Sequence, residues 1–184
     1  MKFAMANDHN HDYWNSRNIV SYDTLHEFFT YDPNTGEIRN KSNRSNRSRA
    51  VELSGDFGDR GYQRVGINGK NFYGHRIAWC MMTGEWPDKF IDHIDGVKSN
   101  NKWSNLRLAT KSQNGANIGK YSRNNGGTSK YKGVFRSKGK RLWVASITKN
   151  GKITRIGCFH TEEEAHAAYV QKAQEVHGEF ARAG

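Results

Sequence analysis

Cysteine and long hydrophobic runs are what this 184-residue sequence has least of. Its two cysteines, Cys80 and Cys158, are too few and too far apart in the sequence to suggest a disulfide framework, so we expect both to be reduced thiols. No C-x-x-C pair occurs, which argues against a structural zinc site. No hydrophobic run reaches membrane-spanning length, and the start lacks the apolar core of a signal peptide. We therefore expect a cytoplasmic protein without a membrane-spanning segment.

Acidic residues are also scarce relative to basic ones. The chain has 18 Asp and Glu against 29 Lys and Arg, a net charge of +11, and its pI is near 9.7. Such an excess implies an anionic partner, and nucleic acid is the leading candidate. The charge is segregated, because residues 119–159 contain eleven Lys or Arg and no Asp or Glu, whereas glutamates are concentrated after residue 160.

The length and the 35% hydrophobic content allow one or two modest domains. We predict an α+β protein with four parts. These are a polar tail (1–20), a first half (21–118), a linker rich in Asn, Gly and Ser (119–128), and a second half (129–184).

The first half is predicted to begin with a short helix capped by Ser21 or Asp23, followed by a strand over 37–41. The apolar side of this helix is formed by Leu25, Phe28 and Phe29. The loop that follows the strand is rich in Ser, Asn and Arg. We predict DNA contacts for Arg44, Arg47 and Arg49 in this loop, although a solvated linker accounts for them equally well.

The middle of the first half carries a hairpin signal and a helix signal. The Asn68-Gly69 pair favours a type I′ turn, which predicts a hairpin over 61–73. A buried helix is predicted from Gly74 to Met82, because turn residues and then Pro87 follow it.

Residues 90–117 hold the densest pattern of polar residues that could carry chemistry. We predict a strand over 90–94, a turn at Asp95-Gly96, a strand over 105–108 and a helix over 110–117 with Thr110 as its N-cap. Asp92 and His93 lie together at the end of the first strand, Asn105 follows His93 by 12 residues, and Asn114 follows Asp92 by 22. This spacing suits a small metal-holding finger in which Asn114 returns beside Asp92.

These residue types match the needs of phosphodiester hydrolysis. The reaction requires a base with a pKa near neutrality and a hard cation held by oxygen ligands. His93 can be the base, and Asp92 with Asn114 can hold Mg²⁺ or Mn²⁺. The alternative is an Asn-rich loop whose side chains only cap turns, but the joint pattern favours the nuclease interpretation.

The motif Asp92-His93-Ile94-Asp95-Gly96, followed by Asn100-Asn101, Asn105-Leu106-Arg107 and Gln113-Asn114, resembles the HNH endonucleases, specifically the phage homing group with Asn as third signature residue. The resemblance implies a ββα-metal finger in which Asp92 and Asn114 hold the metal, His93 activates water and Asn105 braces the loop. Asn117, one helical turn beyond Asn114, is a competing metal ligand.

The stretch before the finger, with GYQRV, GHRIAW and TGEWP, resembles the same family. It implies that Arg76, at a helix start near the site, contacts the scissile phosphate. His75 is either a second polar group of the site or a hydrogen-bonded packing histidine, and the sequence leaves both open.

The second half is predicted to form three antiparallel strands over 131–137, 141–148 and 152–159, followed by a helix. Thr161 with Glu164 makes a capping box, and Gly178 stands where a left-handed C-terminal cap is expected. One face of the sheet would be covered by the helix, and we expect the other face to carry the basic residues.

Tyr131-Lys132-Gly133-Val134, Trp143-Val144-Ala145, Ile156-Gly157-Cys158-Phe159 and the start of the helix resemble the AP2 DNA-binding domain. That family lays its sheet in the DNA major groove, which implies contact roles for Lys132, Arg136, Arg141, Trp143 and Arg155. Phe135 stands where plant relatives usually have arginine, so base specificity does not transfer. Trp143 is assigned equally to core packing and to DNA contact.

The sequence thus predicts a metal-dependent DNA endonuclease of the phage homing type, in the host cytoplasm if it is phage-encoded. Double-stranded DNA is the expected partner, with no small-molecule cofactor, and a monomer or weak dimer is the expected state. A structure-specific nuclease or ribonuclease and a DNA-binding regulator without cleavage remain as alternatives.

Overall fold

The computed structural model describes residues 20–43, 50–58, 60–119, 129–137, 139 and 141–182. Three predicted parts lie outside these residues: nearly all of the polar tail, residues 120–128 of the linker, and the loop arginines Arg44, Arg47 and Arg49. The structure therefore does not address their predicted roles.

The N-terminal helix α1 (Tyr22–Phe28) begins where the Ser21 hydroxyl accepts a hydrogen bond from the backbone N–H of Thr24 at 3.1 Å. It leads into an antiparallel hairpin of β1 (Phe29–Tyr31) and β2 (Ile38–Asn40). The prediction that Phe29 belongs to the helix is wrong. The chain leaves the helix at this residue because Phe29 pairs with Asn40 in the hairpin, and its side chain is fully buried.

The next sheet consists of β3 (Asp56–Phe57), β4 (Gln63–Ile67) and β5 (Lys70–Tyr73), which are antiparallel in this order. Asn68 and Gly69 both have positive φ, 51° and 75°, as a type I′ turn requires. The hairpin prediction is therefore confirmed.

Helix α2 (Gly74–Thr83) follows β5 directly and ends at Gly84, which has the left-handed conformation. Its buried side packs against the sheet and α1. The fully or almost fully buried aliphatic and aromatic members of this core are Leu25, Phe29, Ile38, Val65, Ile67 and Ile77. This core fixes the start of α2, and hence His75, next to the strands that follow.

Strands β6 (Phe90–His93) and β7 (Leu106–Ala109) pair antiparallel, and helix α3 (Lys111–Asn117) follows them. We call residues 90–117 the strand–strand–helix unit. Thr110 caps α3 as predicted, in a capping box with Gln113. The second strand starts one residue later than predicted, because Asn105 closes a 3₁₀ turn before it.

The second half contains β8 (Val134–Arg136), β9 (Trp143–Lys149) and β10 (Lys152–Phe159), in the antiparallel order β10-β9-β8, and helix α4 (Glu162–His177). The predicted capping box of Thr161 and Glu164 is present. The core between α4 and the sheet comprises Val134, Ala145, Ile147, Ala165, Tyr169 and Ala173. Gly178 ends α4 with φ 54° and ψ −127°. It is therefore not the predicted left-handed cap, because the chain turns at once into a 3₁₀ turn over Gly178–Phe180.

The two halves are in contact. Phe180, at the end of the second half, is buried against Ala109 of β7 and Ala116 of α3. Among the described residues, no helix is both long and apolar enough to cross a lipid bilayer.

Candidate active site

Asp92 and His93 are consecutive residues of β6, so their side chains point to opposite faces of the hairpin. Asp92 is 4% exposed. Its Oδ2 accepts a hydrogen bond from Arg107 Nε at 2.9 Å, and Asn117 Nδ2 lies 3.0 and 3.1 Å from its two carboxylate oxygens. Arg107 is the cross-strand neighbour of Asp92, and Asn117 is the last residue of α3. The hairpin and the helix therefore meet on this carboxylate.

His93 lies on the other face and is held by a relay of side-chain amides. Gln63 Nε2 donates to the backbone oxygen of Ser54 at 2.8 Å, and Gln63 Oε1 accepts from Asn101 Nδ2 at 2.8 Å. Asn101 Oδ1 then faces His93 Nε2 at 3.1 Å. A carbonyl oxygen can only accept, so the relay has one consistent direction. In it, Nε2 of His93 carries the proton, and Nδ1 of the neutral ring is the proton acceptor.

Aromatic rings surround His93. The ring of His75 stands edge-on to it with 5.1 Å between centroids, and the ring of Tyr62 is 6.0 Å away. Burial is the main cause that lowers the pKa of His93, and the hydrogen bond that His93 donates to Asn101 and the nearby Asp95 and Asp92 only partly oppose it. The neutral form, which can accept a proton, is therefore favoured.

Asn105 organises the loop between the two strands. Its Nδ2 donates to Asp95 Oδ1 at 2.9 Å and to the Asn100 carbonyl at 2.8 Å, and its Oδ1 accepts from the Asp95 backbone N–H at 3.0 Å. Burial alone would raise the pKa of Asp95, but donors from Asn100, Val97 and Asn105 hold it below its usual value. Asn105 thus ties the turn at Asp95 to the Asn100 carbonyl, and its bracing role in catalysis stays a prediction.

Residues 72–116 match the family model HNH_3, described as HNH endonuclease. The "Uncharacterized HNH endonuclease L560" of Acanthamoeba polyphaga mimivirus is 41% identical over 109 residues, 58% of this chain and 54% of that protein. "Protein 3.8" of Escherichia phage T7 is 35% identical over 111 residues, 59% of this chain and 87% of that protein. This chain belongs to the HNH endonuclease family. Its matches to the HNH endonuclease model and to the mimivirus relative support a nuclease activity.

The match spans about half the length of the mimivirus relative, and no solved structure is significantly similar to this HNH endonuclease. Because HNH nucleases are generally dependent on a divalent metal ion, the family implies one here as well.

The donor set around Asp92 fits a hard cation. The oxygens shown there are those of the Asp92 carboxylate, and no cluster of three or more His, Cys, Asp or Glu occurs among the described residues. A cation would therefore keep coordination positions for water and phosphate oxygens, as Mg²⁺ commonly does. Arg107 takes Oδ2 with a single N–H and Asn117 Nδ2 approaches both oxygens, but each carboxylate oxygen offers two lone pairs, so these contacts still leave room for a cation.

The two candidate ligands on α3 are placed differently. Asn117 Nδ2 also donates to the His93 carbonyl at 2.6 Å, so its amide nitrogen is surrounded by acceptors and its oxygen points away from Asp92. Asn117 is thus a donor that orients Asp92. Asn114 is half-buried and takes no part in these hydrogen bonds. Two oxygens that share a cation do not hydrogen-bond to each other, so this placement is compatible with the ligand role predicted for Asn114.

Arg76 and His75, at the start of α2, have distinct surroundings. Arg76 donates to the carbonyls of Pro87 at 2.8 Å and Lys89 at 3.2 Å, and burial lowers its pKa to about 10. These bonds brace the segment before β6, and a phosphate contact would require them to be exchanged. His75 is buried against His93, and its Nδ1 has no partner among the described residues. Burial, followed by the nearness of His93 and Arg76, lowers the pKa of His75 well below its usual value.

The predicted DNA contacts of the second half do not share one face. Lys132 donates to the carbonyls at the end of α3, Ala116 and, at 2.6 Å, Ile118, and burial lowers its pKa to about 8. Trp143 packs against the core beneath α4. Arg136 is its cross-strand neighbour, with the guanidinium 5.4 Å from the Trp143 ring centroid, and Arg141 is exposed before β9.

The outer face of the sheet, away from α4, carries Arg155 opposite Ser146. The strand alternation places the exposed Phe135 and Ile153 on this face as well. The prediction that this face carries the basic residues is therefore wrong for most of them. Among the described candidates only Arg155 lies there, because the alternation turns Arg136 and Trp143 to the helix side.

Several residues of the site were not assigned a role from the sequence. Asn101 and Arg107 lie within the quoted motif, and the strand register alone would have placed Arg107 opposite Asp92. Gln63 and Tyr62 belong to the preceding hairpin, and no local pattern connects them with His93.

Proposed function

We propose that this HNH endonuclease is a Mg²⁺- or Mn²⁺-dependent DNA endonuclease of the phage homing type. The observation that carries the proposal is the pairing of a buried carboxylate and a buried imidazole on consecutive residues, Asp92 and His93, each held by its own amide. Hydrolysis of a phosphodiester needs such a base beside a metal site.

In the proposed mechanism, His93 Nδ1 takes a proton from the attacking water, while Asn101 holds Nε2. Asp92 and Asn114 would hold the metal ion, and Asn117 and Arg107 orient the Asp92 carboxylate. The bound metal would stabilise charge on the phosphate and on the leaving oxygen. Asn105 braces the loop that follows His93, through its hydrogen bonds to Asp95 and to the Asn100 carbonyl.

The second half is proposed to hold double-stranded DNA in the manner of an AP2 domain, through the outer sheet face with Arg155. Its three-stranded sheet packed on one helix supports this role. Each chain carries one proposed catalytic site, at His93. A monomer, or a weak dimer in transient contact, would therefore nick one strand at a time. If the protein is phage-encoded, we expect this activity in the cytoplasm of the host cell.

A plasmid-nicking assay tests the proposal. Supercoiled DNA of the source genome, cloned in fragments, should be nicked with Mg²⁺, and EDTA should stop the reaction. Mapping of the ends separates a homing enzyme, which cuts at one site, from a structure-specific nuclease. Cleavage of RNA alone, or full activity in EDTA, would overturn the proposal.

A further inference from the structure

Arg107 is held from both halves of the chain. Its Nε binds Asp92, while its Nη1 donates to the backbone oxygen of Glu179 at 2.9 Å and its Cζ lies 3.7 Å from the centroid of the Phe180 ring. The side chain of Arg107 is only 13% exposed. The guanidinium therefore lies between the proposed metal ligand and the C-terminal segment.

Two further contacts fix the C-terminal segment, residues 179–182. Phe180 is 5% exposed and packs on Ala109 and Ala116. Arg182 Nη1 donates to the carbonyl of Asp95 at 2.9 Å and occupies the space in which a side chain at Gly96 would lie. The segment thus contacts β7, α3 and the turn that follows His93.

Helix α3 is also contacted from the second half at its two ends. The backbone N–H of Asn150, in the turn between β9 and β10, donates to the Ser112 hydroxyl at 2.9 Å. Lys132 donates to the carbonyls of Ala116 and Ile118. The helix that carries Asn114 and Asn117 is therefore held in place by the second half.

The hydrogen bonds of Arg107 determine how much of the Asp92 carboxylate is available. Nε alone binds Asp92, and Nη2 has no partner among the described residues. A guanidinium that could turn would pair through both groups with both carboxylate oxygens, because this bidentate geometry is stronger. The contacts to Glu179 and Phe180 hold Arg107 in the single-bond arrangement, which leaves lone pairs of Asp92 for a cation.

We propose that the C-terminal segment 179–182 is a positioning element of the nuclease site, which keeps Arg107 from competing with the metal ion for Asp92. This inference rests on the proposed role of Asp92 as metal ligand. Phe180 and Arg182 are positioning residues, and DNA binding by the sheet does not depend on them.

The test measures Mn²⁺ binding to the full chain without DNA, by electron paramagnetic resonance of the unbound Mn²⁺, alongside Mg²⁺-dependent nicking and DNA affinity. Phe180→Ala and Arg182→Ala should weaken Mn²⁺ binding by roughly 10-fold or more, as removal of an outer partner of a metal ligand typically does. Phe180→Leu keeps the apolar contact and should weaken it less. Lys172→Ala, an exposed change on α4, is the matched control and should have no effect.

A double-variant cycle separates positioning from general packing. In an Arg107→Gln background no guanidinium competes for Asp92, so Phe180→Ala should no longer change Mn²⁺ affinity. Circular dichroism checks that each variant is folded. If Phe180→Ala does not fold, Arg182→Ala tests the proposal in its place.

A wild-type chain that binds no Mn²⁺ and cuts no DNA would refute the proposed function itself. Two outcomes with a functional wild type would refute the positioning role alone. One is that Arg182→Ala and Phe180→Leu both leave the Mn²⁺ affinity unchanged. The other is that Phe180→Ala lowers the Mn²⁺ affinity equally in the wild-type and Arg107→Gln backgrounds.

Discussion

Asp92 and Arg107 face each other across the β6–β7 hairpin, with Arg107 Nε 2.9 Å from Asp92 Oδ2 and both side chains largely buried. The pair makes Asp92 a structural residue as well as a proposed ligand. Removal of one partner of a buried ion pair leaves an uncompensated charge, which is more costly than loss of the pair as a whole. Any substitution of Asp92 therefore has to be interpreted with the stability of the protein measured alongside.

The first prediction concerns two substitutions of Asp92. Asp92→Ala should lower the free energy of unfolding by about 3–5 kcal/mol, because Arg107 is left buried without its counter-charge. Asp92→Asn keeps a carbonyl acceptor for Arg107 and should be less destabilised. Both should lose Mg²⁺-dependent nicking. Urea denaturation and the nicking assay check this, and activity of folded Asp92→Asn at ordinary Mg²⁺ concentrations would remove Asp92 from the metal site.

The second prediction concerns His93. His93→Ala should reduce the rate of cleavage ~10²- to 10⁴-fold with nearly unchanged DNA affinity, since a general base is lost. Because burial lowers the pKa of His93, the wild-type rate should hold as pH falls towards 6.5 and decline only below that. Single-turnover rates across pH check this. A rate that already falls between pH 8 and 7 would indicate another base.

The parts of this site that were predictable from sequence are local. Asp92 and His93 are adjacent in one strand, which the hydrophobic pattern predicts. Thr110 and Gln113 form the capping box of α3 within four residues, which the capping rules predict. The relay from Gln63 to Asn101 joins residues 38 positions apart, and the bond from Arg107 to Glu179 spans 72. Such contacts arise from packing of separate elements, which no local period encodes.

Lys132 shows a second limit. The resemblance to the AP2 domain implied a DNA contact for Lys132, but a lysine that binds helix carbonyls has the same sequence signature as one that binds DNA. Only the burial of its ammonium group against Ala116 and Ile118 distinguishes the two roles.

The third prediction compares aspartate at the two asparagine positions of α3. Asn114→Asp supplies an oxygen ligand and should retain metal-dependent cleavage. Asn117→Asp removes the Nδ2 donor that binds Asp92 and the His93 carbonyl, and it places a carboxylate oxygen against these oxygens. This should cost about 1–3 kcal/mol of stability and remove most of the activity. The reverse ranking of the two variants in Mg²⁺ titrations would assign the ligand role to Asn117.

The fourth prediction concerns acid stability and His75. The folded pKa of His75 lies well below its unfolded value of about 6.5, so below pH 6.5 the unfolded chain binds a proton that the folded chain does not. Stability should therefore fall with decreasing pH, by about 1.4 kcal/mol per pH unit from this group. His75→Gln has no titrating group and should show a shallower slope in urea denaturation between pH 6.5 and 5. Equal slopes would mean that the imidazole titrates alike in both states.

The fifth prediction separates DNA contact from structure in the second half through two basic residues. Arg155→Ala, on the outer sheet face, should weaken DNA binding and reduce the slope of log affinity against log salt by roughly 0.9, the contribution of one phosphate contact. Lys132→Ala should leave this slope unchanged, because its ammonium group binds the carbonyls of Ala116 and Ile118. It should instead lower stability, since those carbonyls lose their donor. Fluorescence anisotropy over a salt series and urea denaturation of both variants check the pair. A salt slope that drops for Lys132→Ala but not for Arg155→Ala would place the DNA on the α3 side of the second half and not on the outer face of its sheet.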